Sequence, residues 1–230
     1  MEPELKEIKA FVPTEIHPIT GLTLSGGKCP CIFPEFKMIY VRVPGTGSSS
    51  FFLELGRRSK TEYVDVPTSG PVRDMEFIAN FNHLTARQLR ELIPKDIWNS
   101  YKKVGFIREP TDWCNSIYNK NGVYESVGIE VDGLTFSEFL QKLNKTPFYW
   151  FVDKDGEMLV DVIYRNEDLE HGVFDQYGIH EPYPRYNVSS KPRVTFTDED
   201  MKIIHQKFGR EYLYYQETFN EHQKTRTLAL

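Results

Sequence analysis

The sequence predicts an α/β fold, a single domain with a mainly parallel central sheet flanked by helices. Three observations lead there. Short apolar and β-branched segments alternate along the chain with segments that carry helix caps and helical spacing of apolar residues. Two of the strand-like segments, ending near Val43 and Ile107, run into polar turns followed at once by helix-forming residues, the order of a βα unit. With 230 residues, 14% of them aromatic, the chain is long enough for one sizeable packed core and short for two full domains.

Residues 1–36 are rich in Pro, Gly and Thr and read as an irregular lead-in. The α/β domain is expected over 37–216 and a polar tail over 217–230. A first strand is expected over 37–43 and a helix over 48–58. Residues 63–66 and 76–79 read as short strands separated by the turn-prone Pro67-Thr68-Ser69-Gly70-Pro71. Thr85 suits the N-cap of a helix reaching Leu92. A further strand follows over 104–107. Pro110 then opens a helix to Asn119 at a first-turn position, where the missing N–H costs nothing. After a glycine-containing turn over 122–133, Thr135 and Glu138 frame a capped amphipathic helix to Leu143. Asp153-Lys154-Asp155-Gly156 reads as a hairpin turn joining strands over 148–152 and 157–164. Thr197-Asp198-Glu199-Asp200 opens another helix with negative charge at its favourable end.

The stretch from Met38 to Phe52 carries the most chemistry. A buried-type strand enters the turn Pro44-Gly45-Thr46-Gly47-Ser48-Ser49-Ser50, and an apolar helix follows. Backbone amides and hydroxyls converge above a helix N-terminus in such a turn, which attracts an oxyanion. This gives a P-loop-like nucleotide-binding core, with a phosphate or sulfate group as ligand. The Gly-Lys-Ser/Thr ending of a Walker A loop is absent, which disfavours a phosphotransferase of that kind. Arg108, at the end of the 104–107 strand, and Ser116, in the helix after it, supply a guanidinium fork and a short hydrogen bond suited to a second phosphate. The same arginine could instead pair with Glu109 or Asp112 at the surface.

Together these segments resemble the signature of sulfotransferases that use 3′-phosphoadenosine 5′-phosphosulfate (PAPS). Pro44, Thr46, Gly47, Ser48 and Ser50 match that family's 5′-phosphosulfate loop, with Ser49 in place of a threonine. Arg108, Pro110, Ser116 and Tyr118 match its 3′-phosphate motif. The resemblance continues through His83 to Arg87, Trp98 to Tyr101, Tyr149 to Asp153, Arg165 to Leu169 and Pro184 to Ser189, and so covers most of 37–215. It is nearest to soluble bacterial-type members and the uronyl 2-O-sulfotransferase branch.

The resemblance implies transfer of a sulfuryl group from PAPS to an acceptor hydroxyl, with a carbohydrate as the expected acceptor. It assigns the loop residues Gly45, Thr46, Gly47, Ser48, Ser49 and Ser50, with Arg108 and Ser116, to the nucleotide. His83 falls where similar enzymes place a general base, a role suited to an unperturbed pKa of about 6.5; a loop or cap histidine is the alternative. Lys191 and Arg193 flank Pro192 in a basic loop of the kind that approaches the phosphates, or form an ordinary surface charge pair. Arg165 and Glu167 read as a structural ion pair or as ligand contacts.

One position departs from the pattern. The family's loop lysine, which reaches the transferring group, is Gly45 here. Fixed cations at developing charge contribute several kcal/mol. Either another cation substitutes for that lysine, with Arg42 the first candidate and Lys28, Lys37 or a loop lysine the others, or the chain binds the nucleotide and turns over poorly. Restoring lysine at 45 is expected to raise turnover if the glycine's backbone angles admit it.

A net charge of −5 argues against broad nucleic-acid binding. No apolar run approaches the roughly 20 residues of a membrane span, and the charged N-terminus does not read as a secretory signal. A cytoplasmic location is expected. Cys29, Cys31 and Cys114 read as reduced thiols, without the further partners of a zinc site, so no metal is expected.

Overall fold

The computed structural model describes residues 15–16, 23–24, 30–47, 50–51, 55, 64–65, 83–119, 123–124, 127–167, 175–177 and 192–217. Strands β1 (Glu15–Ile16) and β2 (Thr23–Leu24) form a small antiparallel ladder. The central sheet opens with β3 (Pro30–Phe33), where Ile32 and Phe33 are fully buried. The chain then reverses through a 3₁₀ turn, Pro34–Phe36, and Lys37, whose φ of 45° is left-handed. It returns as β4 (Met38–Val41), antiparallel to β3. All four β4 residues are buried, as a strand covered on both faces requires.

Strand β5 (Val64–Asp65) joins the free side of β3. Helices α1 (Ala86–Leu92) and α2 (Lys95–Ser100) cross to β6 (Lys102–Ile107), which lies parallel to β4 with Tyr40 opposite Val104. Helix α3 (Pro110–Tyr118), the hairpin β7 (Val123–Tyr124) and β8 (Ile129–Glu130), and α4 (Phe136–Lys142) form the next crossover. It leads to β9 (Val162–Arg165), parallel to β6 with Ile107 opposite Arg165. The five-stranded order is β5-β3-β4-β6-β9. The sheet is thus parallel through β4, β6 and β9 and antiparallel at the β3 and β5 edge. Helix α5 (Asp198–Lys207) and the helical residues 209–217 follow.

Alternation sorts side chains onto two faces. Met38, Tyr40, Val104 and Phe106 join Phe33, Phe51 and Leu55 in a smaller aromatic cluster. Ile39, Val41, Ile107 and Ile163 face the larger one, with Leu89, Trp113, Phe139, Phe151, Ile204 and Phe208 from the helical layer. Gly105 permits the closest approach: a Cβ there would lie 2.3 Å from Cε1 of Phe151, so the ring seats on bare backbone. Three capping boxes start α1, α4 and α5, pairing Thr85 with Gln88, Thr135 with Glu138 and Thr197 with Asp200. Such caps contribute about 1 kcal/mol each.

Three expectations need correcting. The lead-in over 1–36 contributes β3, a buried strand of the central sheet, so composition there hid an apolar Cys31-Ile32-Phe33 core segment. Residues 147–150 form a 3₁₀ turn instead of a strand. Pro147 starts that turn, and the buried Glu211 carboxylate accepts the Phe148 N–H at 3.1 Å. The turn at 153–156 does form, with the Gly156 amide on the Asp153 carbonyl at 3.2 Å, the Leu159 amide on the Phe151 carbonyl at 2.8 Å and the bridge Val152 to Met158, but the strand beyond it, β9, pairs with β6. Finally, the 122–133 turn contains β7 and β8, and α2 was not anticipated as a helix. The expected strand over 76–79 and most of the helix over 48–58 lie outside the described residues.

Candidate functional site

Because β4, β6 and β9 are parallel, their carboxyl ends open on one edge of the sheet, where ligands of α/β proteins bind. The chain leaving β4 is irregular, and side chains hold three successive carbonyls there. The Arg42 oxygen meets His83 Nδ1 at 3.0 Å, Thr46 Oγ1 donates to Val43 at 2.9 Å, and Trp113 Nε1 donates to Pro44 at 2.6 Å. Gly45 and Gly47 then turn with φ of 77° and 71°, conformations that L side chains rarely adopt. With the carbonyls occupied, the Gly45, Thr46 and Gly47 amides make no hydrogen bond to a described residue. Ser50 starts the following helix, its amide on the Gly47 carbonyl at 3.0 Å. Left-handed glycines, and amides with no partner among the described residues, are the kind of backbone from which anion nests are built.

Gly45 also faces a wall. A Cβ there would lie 2.9 Å from Ile117 Cδ1 and 3.2 Å from Trp113 Nε1. A lysine at 45 therefore meets both an unfavourable φ and occupied space, and the condition attached to restoring it is not met. Arg42, the expected substitute cation, is 6% exposed at the end of β4.

The end of β6 supplies the second cationic group. Arg108 leads into α3, whose N-cap, Glu109, accepts the Asp112 N–H at 2.9 Å and the Thr111 hydroxyl. Asp112, four residues past Arg108, lies 3.9 Å from Arg108 Nη2 and 2.5 Å from Arg193 Nη2. One carboxylate thus faces two guanidinium groups. Ser116 is one further turn along α3, half-buried, and its hydroxyl bonds to no described residue. Arg108 Nε is buried and also without a hydrogen-bond partner there. Asn115 and Asn119 anchor the Arg193 segment to the same helix through the Val194 amide at 2.8 Å and the Pro192 carbonyl at 3.2 Å.

At the end of β9, Asn166 reaches the β4 loop: its Oδ1 lies 2.6 Å from where a Gly47 Cβ would stand. Arg165 is 7% exposed, with its guanidinium 5.3 Å from the Tyr215 ring centroid. Tyr215 bonds Glu167, and burial together with that carboxylate raises its pKa. Burial, then the Glu109 charge, likewise raises Tyr212, whose hydroxyl donates to Glu109 at 3.4 Å. The helical residues 209–217 thus brace two strand-end carboxylates. Arg165 and Glu167 share Tyr215, an arrangement closer to the structural reading than to ligand contact.

The fold therefore gathers Arg42, Gly45, Thr46, Gly47, Ser50, His83, Arg108 and Ser116 along one sheet edge. Ser48, Ser49 and Lys191 lie outside the described residues. The roles of Trp113, Trp150 and Asn166 are not legible in the sequence, whereas the ion pair of Asp112 with Arg108 is the surface alternative expected for that arginine. Asp112 carried a signal, its spacing of four from Arg108, whereas nothing local marks the two tryptophans. Among the described residues no group of three or more His, Cys, Asp or Glu side chains could hold a metal ion, and no helix is long and apolar enough to cross a membrane. Comparison with protein-family models, characterised proteins and solved structures gives no match for this chain.

Proposed function

We propose that this chain is a sulfotransferase that moves a sulfuryl group from PAPS to an acceptor hydroxyl on a carbohydrate. One observation supports the reading: the adjacent parallel strands β4 and β6 each run into a segment whose chemistry suits an anion, the left-handed glycine turn at 45 and 47 and the segment from Arg108 to Ser116. A nucleoside triphosphate presents one chain of phosphates. A nucleotide phosphorylated at both 3′ and 5′ positions presents two anionic ends, which suits two such elements. The motifs at Pro44 to Ser50 and Arg108 to Tyr118 support the same assignment.

In the proposed reaction the acceptor oxygen attacks sulfur in line, the bond from sulfur to the 5′-phosphate oxygen breaks, and 3′-phosphoadenosine 5′-phosphate departs. The acceptor proton passes to His83. Loop amides and Arg42 stabilise the charge growing on the leaving phosphate, so the chain contributes mainly positioning and electrostatics. The nest offers amides and hydroxyls, so transfer should persist in a chelator. A cytoplasmic setting belongs to the same proposal, supported by the sequence composition.

A second reading, nucleotide binding with impaired catalysis, is favoured by the Gly45 geometry, which sets the expected lysine at an unfavourable φ of 77° and against Ile117 and Trp113. Labelled PAPS offered to glycans, phenols and lipids tests both. Transfer to a glycan is expected, reduced about 10²-fold or more in His83→Ala with nucleotide affinity nearly unchanged. Transfer only to a phenol would replace the acceptor class, and wild-type transfer no faster than His83→Ala would favour the binding-only reading.

A further inference from the structure

Two contacts on His83 fix more than its place. Its Nδ1 lies 3.0 Å from the Arg42 carbonyl oxygen. A carbonyl oxygen only accepts, so Nδ1 carries the proton and a neutral His83 keeps its lone pair on Nε2. A single hydrogen bond of this kind shifts the balance between the two neutral tautomers by roughly three- to tenfold.

The ring holds that carbonyl only if its backbone is anchored. His83 stands just before the capped start of α1, where Leu84 and Thr85 are buried. From the other side, Trp150 Nε1 donates to the His83 carbonyl at 2.9 Å. Trp150 is the last residue of the Pro147–Trp150 turn and is 1% exposed, so its indole is immobilised by the core. This makes a relay across three distant segments: the core holds Trp150, Trp150 holds the His83 main chain, and the end of β4 holds the His83 ring. The strand end that positions the ring is the one that continues into the anion nest, so nest and imidazole share one rigid reference.

We infer that Trp150 is a positioning residue for His83, keeping the imidazole in its Nδ1–H tautomer with Nε2 as the basic atom. The tautomer and the part played by Trp150 stand on geometry alone; the use of Nε2 to take the acceptor proton rests on the function proposed above.

Imidazole nitrogen NMR of the full chain tests this. Wild type should show a protonated Nδ1 and a pyridine-like Nε2. Trp150→Phe, and an isosteric benzothienyl analogue placed at position 150 that keeps the ring outline without the N–H, should move the tautomer ratio toward Nε2–H by roughly threefold. Turnover should fall about tenfold in both while affinity for 3′-phosphoadenosine 5′-phosphate stays within about twofold. A proton found on Nε2 in wild type overturns the inference without any variant. So does an unchanged ratio in the folded benzothienyl protein. If the ratio responds as stated but wild type transfers no sulfuryl group, the positioning stands and the proposed function fails.

Discussion

Gly45 occupies the place where a lysine is expected, and the surrounding atoms explain why the substitution cannot simply be reversed. Ile117 and Trp113 fill the direction of a side chain, and the backbone sits at φ 77°. Gly45→Lys is accordingly expected to lose about 1–3 kcal/mol of stability and to give no gain in turnover. Denaturant titration and a transfer assay check both parts; faster transfer with unchanged stability would show that the loop yields. Arg108 differs, since its Nε is unsatisfied and its ion pair with Asp112 is long at 3.9 Å. A charge-assisted hydrogen bond contributes about 1.5–3 kcal/mol. Arg108→Ala should therefore weaken 3′-phosphoadenosine 5′-phosphate binding roughly tenfold to a hundredfold by calorimetry, with little effect on adenosine 5′-phosphate. Ser116→Ala should show the same preference more weakly. Equal losses for both nucleotides would mean that Arg108 serves the fold.

The elements were legible where a local device declares them. Thr85, Thr135 and Thr197 each precede a helix, and each helix begins one residue later. Pro110 marked α3 for the same reason, and the apolar runs of β4 and β6 marked buried strands. What could not be read is non-local. The 147–150 segment has strand-like letters, but Glu211, sixty-three residues away, caps it as a 3₁₀ turn, and Phe151 lies against Gly105 of β6. Glu211 also carries a testable charge. Burial raises its pKa above the ordinary carboxylate value, with Thr146 and the Phe148 amide opposing the shift. A folded pKa above the unfolded one, about 4.3, means the ionised group costs stability at neutral pH and that the cost fades as pH falls through the folded value. Glu211→Gln keeps an acceptor for the Phe148 amide, so its Tm should match or exceed wild type near pH 7–8. That advantage should shrink toward pH 4. A large loss at neutral pH would show that the ionised carboxylate stabilises the turn.

Across the molecule, the parallel arrangement of β4, β6 and β9 makes separate sequence motifs into neighbours. Residues 42–47, 108–116 and 165–167 are far apart in the chain, yet they share one sheet edge because each follows a parallel strand. The sequence motifs marked Thr46, Arg108, Ser116 and His83 as candidates, since hydroxyl, guanidinium and imidazole chemistry is visible in letters. The supporting contacts are another matter: Trp113 on the Pro44 carbonyl and Trp150 on the His83 carbonyl join residues 69 and 67 positions apart. Tryptophan at those positions reads as core, and only the assembled layers give its N–H a partner.

Calorimetric titration of the full chain with 3′-phosphoadenosine 5′-phosphate, adenosine 5′-phosphate and ATP tests the proposed two-ended anion site directly. On the proposed reading, losing the 3′-phosphate would remove charge-assisted contacts to Arg108 and Ser116, so the 3′,5′-bisphosphorylated nucleotide should bind at least roughly tenfold more tightly than adenosine 5′-phosphate, and more tightly than ATP. Tight ATP binding, with no preference for the 3′-phosphate, would contradict the account.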